Sequence, residues 1–338
     1  MRTLRQATIL GTGIYLPEKR LTNSDLEKMV DTTDEWIVTR SGIRERRLVE
    51  PGQKTSDIAI LAAEMALRNS GIRPDQISGV LLASFTPDRP ISATSAVIAH
   101  KLGCKNAAAC DIEVACSGFV YTTTIASNFI ATGMMDYVLV IGADILSKVI
   151  DFTDRNTCVL FGDGAGALVL GPATKPGEGI FDALLGADGG GSENITIPAG
   201  GTEMPTTAET VEKRLHYVKI NGKEVFKFST RIIGDMIEQV LSRNNLTLDD
   251  VKLIIPHQAN IRIIESAAGR FKCPMDKFFV NLDKYGNTVA ATIPICLHEA
   301  LQAGRIKEGD LVLLAGFGGG LSWGTVALRW GSYQPPAA

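Results

Sequence analysis

Apolar positions along the chain fall into two patterns. Continuous runs such as VLLA (80–83), VLVIGA (138–143), VKLII (251–255) and LVLLA (311–315) are bounded by Gly, Asp or other turn residues. Such runs predict strands covered on both faces. Between them, SDIAILAAEMALRNSG (56–71) carries apolar residues at helical spacing, with Ser56 as the expected cap and Gly71 as the stop. Val225, Ile232, Ile233, Met236, Ile237, Val240 and Leu241 mark a second amphipathic helix. The small residues of the first helix predict close packing between layers. Strand and helix alternate throughout, which predicts an α/β architecture.

The pattern also repeats. IRPDQISGVLLAS from Ile72 matches LTLDDVKLIIPHQ from Leu246, and DYVLVIGA from Asp136 matches DLVLLAGF from Asp310. Both pairs are 174 positions apart. A shared offset predicts two copies of one α/β unit, residues 1–173 and 174–338. The Gly-, Thr- and Pro-rich stretch from Gly186 to Thr210 reads as a long loop between them, and the tail QPPAA as frayed.

Composition narrows the function. With 338 residues and 45% apolar content the chain builds a large core, and a net charge of −3 gives no general attraction to nucleic acid or anionic membrane. No apolar run approaches the roughly 20 residues of a membrane span, and the first residues read as a strand rather than a signal sequence. The six cysteines include no CxxC pair, so reduced thiols in a cytoplasm are expected.

Three strand-end turns carry candidate chemistry. In DIEVACSGFVYTTTIASNFIATG (111–133) a strand ends at Cys116, Ser117 and Gly118 turn, and a helix begins. A helix N-terminus favours a thiolate, and Gly118 allows close approach of backbone or an acyl chain. The other cysteines lack this turn: Cys104, Cys158, Cys273 and Cys296 read as small apolar residues and Cys110 as core. Of the four histidines, His257 alone follows a buried strand (VKLIIPH) and opens a helix; His100, His216 and His298 read as structural or exposed. Asn287 precedes the helical run VAATIPICLHEALQAG and lies close to the position 174 beyond Cys116. Its local reading is a helix cap. Its repeat position predicts that the two turns meet beneath one pocket. Gly316-Phe317-Gly318-Gly319-Gly320 offers free backbone N–H groups, suited either to an oxyanion or to a tight turn.

TDEWIVTRSGIRER (33–46), ACSGF (115–119), DRNT (154–157), FGDGAGA (161–167), PHQAN (256–260), GNT (286–288) and GFGGG (316–320) together resemble the thiolase-like condensing enzymes, most closely the β-ketoacyl-acyl carrier protein synthase III family. The resemblance spans nearly the whole chain. It implies a thiolase-like fold with two duplicated α/β halves layered α-β-α-β-α, and a homodimer. It implies an initiating enzyme of type II fatty acid synthesis that moves a short acyl group from acyl-CoA to Cys116 and condenses it with malonyl-acyl carrier protein, without metal or redox cofactor. On this resemblance Cys116, His257 and Asn287 are catalytic, and the N–H groups of Cys116 and Gly319 hold the oxyanion. Thr32, Trp36, Arg40, Arg155 and Asn260 bind coenzyme A; Lys227, Arg262 and Arg270 bind the acidic carrier, Arg262 and Arg270 being eight apart on one helix face. Ile91 lines the acyl pocket, offered by the partner subunit where the acetyl-preferring enzyme has Phe. The chain departs from the enterobacterial pattern at Lys223 (Asn there) and Asn156 (Gly there).

Other readings fit less well. A papain-like protease also runs Cys, His, Asn along the chain, but CGSCW is absent and the repeat is wrong. Gly11-Thr12-Gly13 lacks the third glycine of a dinucleotide fingerprint, and Gly162-Asp163-Gly164 leads into a strand. A non-catalytic relative would have lost a triad residue. An enzyme of secondary metabolism performing acyl transfer or acyl-CoA condensation remains the alternative within the family.

Overall fold

The computed structural model describes residues 4–334. Of the tail expected to fray, residues 335–338 lie outside them. Nine strands form the central sheet: β1 (Ala7–Tyr15), β2 (Gly79–Ala83), β3 (Ala108–Ile112), β4 (Val138–Asp144), β5 (Gly164–Pro172), β6 (Gly179–Ala187), β7 (Val251–Pro256), β8 (Leu311–Gly318) and β9 (Ser322–Arg329). Their spatial order is β7-β8-β9-β6-β1-β5-β4-β2-β3. Read outward from the middle, the two ends have one plan. β1 is followed by β5, β4 and β2, and β6 by β9, β8 and β7. In each, the outer pair is parallel (β2 with β4, β7 with β8) and the inner pairings are antiparallel. β1 and β6 meet at a single pair, Ala7 with Ile180.

Six helices organise the layers: α1 (Asp34–Ser41), α2 (Thr55–Ser70), α3 (Gly118–Ala131), α4 (Gly222–Arg243), α5 (Ile261–Phe271) and α6 (Thr292–Gln302). α3 and α6 form the middle layer, where Phe119, Val120, Ile293 and Leu297 share one core with β4, β5, β7, β8 and β9. α2 covers the outer face of the first group of strands, and α4 that of the second. The layering is therefore α-β-α-β-α. The close packing expected of α2 is present: a Cβ on Gly13 of β1 would stand 2.3 Å from the Ala62 carbonyl oxygen. The apolar stripe of α4 is buried from Ile232 to Leu241 as its spacing predicts.

Three local expectations need correction. Ser56 lies inside α2; the start is closed by Asp57, whose carboxylate accepts from the Lys54 N–H at 3.0 Å. The Gly-rich stretch is not a linker between the halves. It follows β6 and includes a short helical turn (Gly189–Asn194), a strand (Ile195–Thr196) and a helix (Ala208–Glu212). Cys110 is exposed, because β3 is the edge strand of the sheet. Among the described residues no helix is long and apolar enough to cross a membrane.

Candidate active site

Cys116 sits in a three-residue turn, Ala115–Ser117, between β3 and α3. Ala115 holds φ 42°, in the left-handed region. The second half repeats this geometry 174 positions on: the turn Val289–Ala291 leads into α6, and Val289 holds φ 52°. These non-glycine residues each cost on the order of 1 kcal/mol there, a cost found most often at functional sites. The two turns pack against each other. The carboxylate of Asp144, at the end of β4, ties the second turn to the segment that follows β2. Its Oδ1 accepts from Ser84, Thr86 and the N–H groups of Phe85 and Thr86, and its Oδ2 accepts from the Ala290 N–H at 3.2 Å. Burial lifts this carboxyl to about 7 against those hydrogen bonds.

The thiol differs from the local expectation. Cys116 is only 8% exposed. Burial first, and then the Asp144 carboxylate, push it up to about 12, although the N–H groups of Gly319 and of Cys116 itself act the other way. The free site thus holds a thiol. Desolvation outweighs the helix N-terminus. Gly118, expected to admit an acyl chain, faces Ala83 of β2 instead.

The glycine turn after β8 closes on the cysteine. A Cβ on Gly318 would stand 2.6 Å from Cys116 Cβ and 3.0 Å from its Sγ, so only glycine fits. Gly319 directs its N–H at the sulfur. Ser322 Oγ lies 2.6 Å from both Ser117 Oγ and the Gly319 carbonyl oxygen, which ties the two turns together.

His257 follows β7, and its N–H donates to Ala315 of β8 at 2.8 Å. The ring is 1% exposed, stands edge-on to Phe317 (78°, centroids 5.5 Å apart), and has Nδ1 2.7 Å from Thr292 Oγ1. Burial lowers its pKa to about 3, so it is neutral in the working range. Asn287 Oδ1 accepts from the Val289 N–H at 2.8 Å. That caps the turn rather than α6, and leaves the amide NH2 as the end free to donate. The other histidines have no such place. His100 is exposed, His298 is buried against Thr12 (2.7 Å), and His216 lies in a turn.

Trp36 of α1 has two guanidinium groups over its ring, Arg155 at 5.3 Å and Arg40 at 5.8 Å. The recess beside it, about 190 Å³, is lined by Trp36, Arg40, Asn156, Leu160, Ile220 and Asn260 among others. Thr32 carries a buried hydroxyl with no partner. Asn260 is already engaged: its Nδ2 donates to the Arg40 carbonyl and its Oδ1 accepts from the Arg262 N–H. Arg262 lies over Phe226 at 5.4 Å, beside exposed Lys227, and neither cation is ion-paired among the described residues. Arg270 stands apart from them. Although it shares α5 with Arg262, it is clamped by Glu238 (2.7 and 3.0 Å) and Asp235 (2.8 Å) of α4. Ile91 is 85% exposed.

Asp144 and Thr292 were not singled out from sequence, and Phe317 and Gly318 only as members of the GFGGG motif. The repeat held a signal for two of them, since Asp144 and Gly318 are themselves 174 apart.

Comparison with known proteins agrees with this geometry. Residues 110–189 match the family model described as 3-oxoacyl-[acyl-carrier-protein (ACP)] synthase III, and residues 241–330 match its C-terminal counterpart. The chain is 52% identical to beta-ketoacyl-[acyl-carrier-protein] synthase III of Caldanaerobacter subterraneus subsp. tengcongensis, over 96% of this chain and 98% of that one. It is 50% identical to the protein of that name in Symbiobacterium thermophilum, over 97% and 99%. Among solved structures, 3-oxoacyl-[acyl-carrier-protein] synthase III from Aquifex aeolicus VF5 superposes with a TM-score of 0.88 at 42% identity, covering 96% of this chain and all of that one. The chain therefore belongs to the β-ketoacyl-[acyl-carrier-protein] synthase III family, thiolase-like acyltransferases that perform the initiating condensation of fatty acid synthesis.

Proposed function

We propose that the chain loads a short acyl group from acyl-CoA onto Cys116 and condenses it with malonyl-acyl carrier protein, His257 and Asn287 serving the second step. The observation that carries this reading is the direct packing of the Cys116 turn against the Val289–Ala291 turn, with the glycine turn closed on the thiol. In loading, Cys116 sulfur bonds to the thioester carbonyl carbon. The bond to coenzyme A breaks, and the thiol proton ends on the departing sulfur. Because the free site favours the thiol, attack and proton loss are coupled. The N–H groups of Cys116 and Gly319 hold the oxyanion, each contributing about 3 kcal/mol by analogy with other acyl-transfer sites.

In condensation the malonyl carboxylate leaves as CO₂ and its bonding pair becomes an enolate. His257 and the Asn287 amide donate to the enolate oxygen, and its carbon attacks the acyl-Cys116 carbonyl. Cys116 leaves as a thiolate as the 3-oxoacyl-carrier product forms, and takes one proton from solvent to return to the thiol. The guanidinium groups of Arg155 and Arg40 beside Trp36, with the unpaired Thr32 hydroxyl, suit the adenine and phosphates of coenzyme A. Asn260 serves by holding the wall of that recess. Arg262 and Lys227 suit the acidic carrier, whereas Arg270 keeps α5 on α4.

The 1–173 and 174–338 halves, each with its own strand order, act as one unit in a cytoplasmic homodimer. The exposed Ile91 supports a loop that lines the partner's acyl pocket, and six free cysteines suit a reducing compartment. Ile in place of Phe there favours primers larger than acetyl. A panel of acyl-CoAs offered with malonyl-acyl carrier protein, with products identified by mass, tests both points. An acyl adduct on Cys116 with no malonyl-dependent product would refute the condensation.

A further inference from the structure

A histidine that stabilises an enolate oxygen as a neutral ring needs its proton on the nitrogen that faces the substrate. Nε2 of His257 has no hydrogen-bond partner among the described residues, while Nδ1 lies 2.7 Å from Thr292 Oγ1. The hydroxyl has one proton and two acceptors in reach, Nδ1 and the Val289 carbonyl oxygen at 2.9 Å. The Val289 carbonyl oxygen already accepts the backbone N–H of Thr292, so the hydroxyl would add only a second bond there, whereas Nδ1 has no other donor among the described residues. A separation of 2.7 Å is the usual length of a bond from an O–H donor and short for one from a neutral ring N–H. The neighbouring Asn287 is fixed in the same sense. Its oxygen is taken by the Val289 N–H, and its NH2 is left outward. One short turn, Val289–Ala291 with Thr292 after it, thus sets the hydrogen-bonding polarity of both side chains.

We propose that Thr292 is a positioning residue for the condensation: its hydroxyl donates to Nδ1 of His257, keeps the proton on Nε2, and so makes the ring a donor toward the malonyl thioester oxygen. This rests on the role proposed above for His257. Substrate and reacting atoms never touch Thr292; it acts through the ring.

The first test is ¹⁵N NMR of the ring nitrogens of His257 in the whole wild-type enzyme, assigned by comparison with His257→Gln. A neutral ring with hydrogen on Nε2 is expected, and hydrogen on Nδ1 overturns the proposal. The second compares Thr292→Val with Thr292→Ser. Thr292→Val is expected to lower the turnover of malonyl-acyl carrier protein decarboxylation about 10-fold, the worth of one hydrogen bond at a critical ring. Acyl loading of Cys116 and the KM for the carrier substrate should stay within about twofold, and Thr292→Ser should restore the rate. Equal losses in loading and decarboxylation, or no rescue by serine, overturn it. His257→Ala separates this proposal from the reading beneath it. If His257→Ala leaves decarboxylation intact, the enolate role itself is wrong. If it abolishes decarboxylation while Thr292→Val does not slow it, only the role of Thr292 is wrong.

Discussion

The turn at Cys116 and the turn at Ala290 occupy the same place in the two halves, and their contents differ. Each contains a left-handed non-glycine residue (Ala115, Val289) and launches a middle-layer helix, although the first follows a strand and the second a short helix, Leu282–Tyr285. The first carries the sulfur. The second carries alanine at the matching position and keeps its polar groups on either side, Asn287 before and Thr292 after. The strand ends differ in a complementary way. β4 ends in Asp144, which reaches across to the Ala290 N–H, while β8 reaches Gly318, whose missing side chain makes room for Cys116. Two turns of matching geometry thus face each other. On the function proposed above, one turn is the acceptor of an acyl group and the other a set of hydrogen-bond donors.

That contrast breaks most sharply at Asn287. Asn287→Ala should lower decarboxylation about 100- to 1,000-fold, as loss of one oxyanion donor does elsewhere, and leave acyl loading within about twofold. Single-turnover loading followed by mass, beside CO₂ release, separates the steps; equal losses would erase the division of labour between the turns.

Gly318→Ala attacks the other side. The new Cβ meets Cys116 Cβ at 2.6 Å, with the Cys116 backbone nitrogen at 3.4 Å behind it. Stability should fall by about 1–3 kcal/mol in a denaturant titration, and loading should suffer more than the decarboxylation of an enzyme already acylated. A variant that loads at the wild-type rate would show that the glycine turn does not bear on the sulfur.

The state of the thiol gives the next effect. With its pKa raised to about 12, the thiolate fraction of Cys116 grows with pH throughout the accessible range. Alkylation of the free enzyme by iodoacetamide should accelerate about tenfold per pH unit between about pH 7 and 9. A rate flat across that window would mean that the helix N-terminus has already made a thiolate.

Smaller effects sharpen the picture at its edges. Ala115→Gly relieves a left-handed alanine and should raise stability by less than about 1 kcal/mol; a clear loss would mean that the methyl group packs in the site. Arg262→Ala should raise the KM for the carrier substrate several-fold, on the order of 1 kcal/mol. Arg270→Ala should leave that KM unchanged and cost about 1 kcal/mol or less of stability, since its charge is spent on Asp235 and Glu238 at an exposed helix contact.

The sequence revealed what depends on periodicity and on chain order. The alternation of buried runs and amphipathic helices foretold the layers, and the 174-residue offset brought Asn287 to the turn opposite Cys116. It was silent where the decisive partner lies far along the chain. The helix N-terminus beside Cys116 is a local feature, but the burial of the thiol is not, and the turn that closes on its sulfur, at Gly318, lies about 200 residues farther on. Arg270 looked like a surface cation because its neutralising acids sit on α4, more than thirty residues earlier. Cys110 looked like core because nothing local says that β3 is an edge. Asp144 and Thr292 read as ordinary strand-end and helix-start residues until the two halves are brought together.

The central claim is that one sulfur, Cys116, holds the acyl group until the donors of the second half generate its partner carbanion. A chase experiment meets it directly. The enzyme is loaded with a ¹⁴C-acyl-CoA and freed of excess, the label is mapped to its peptide, and malonyl-acyl carrier protein is added. The label should reside on Cys116 and move entirely into 3-oxoacyl-carrier product with release of one CO₂ per acyl group. Label that stays on Cys116 after malonyl-acyl carrier protein is added, or that reaches product in a Cys116→Ala enzyme, would contradict the account.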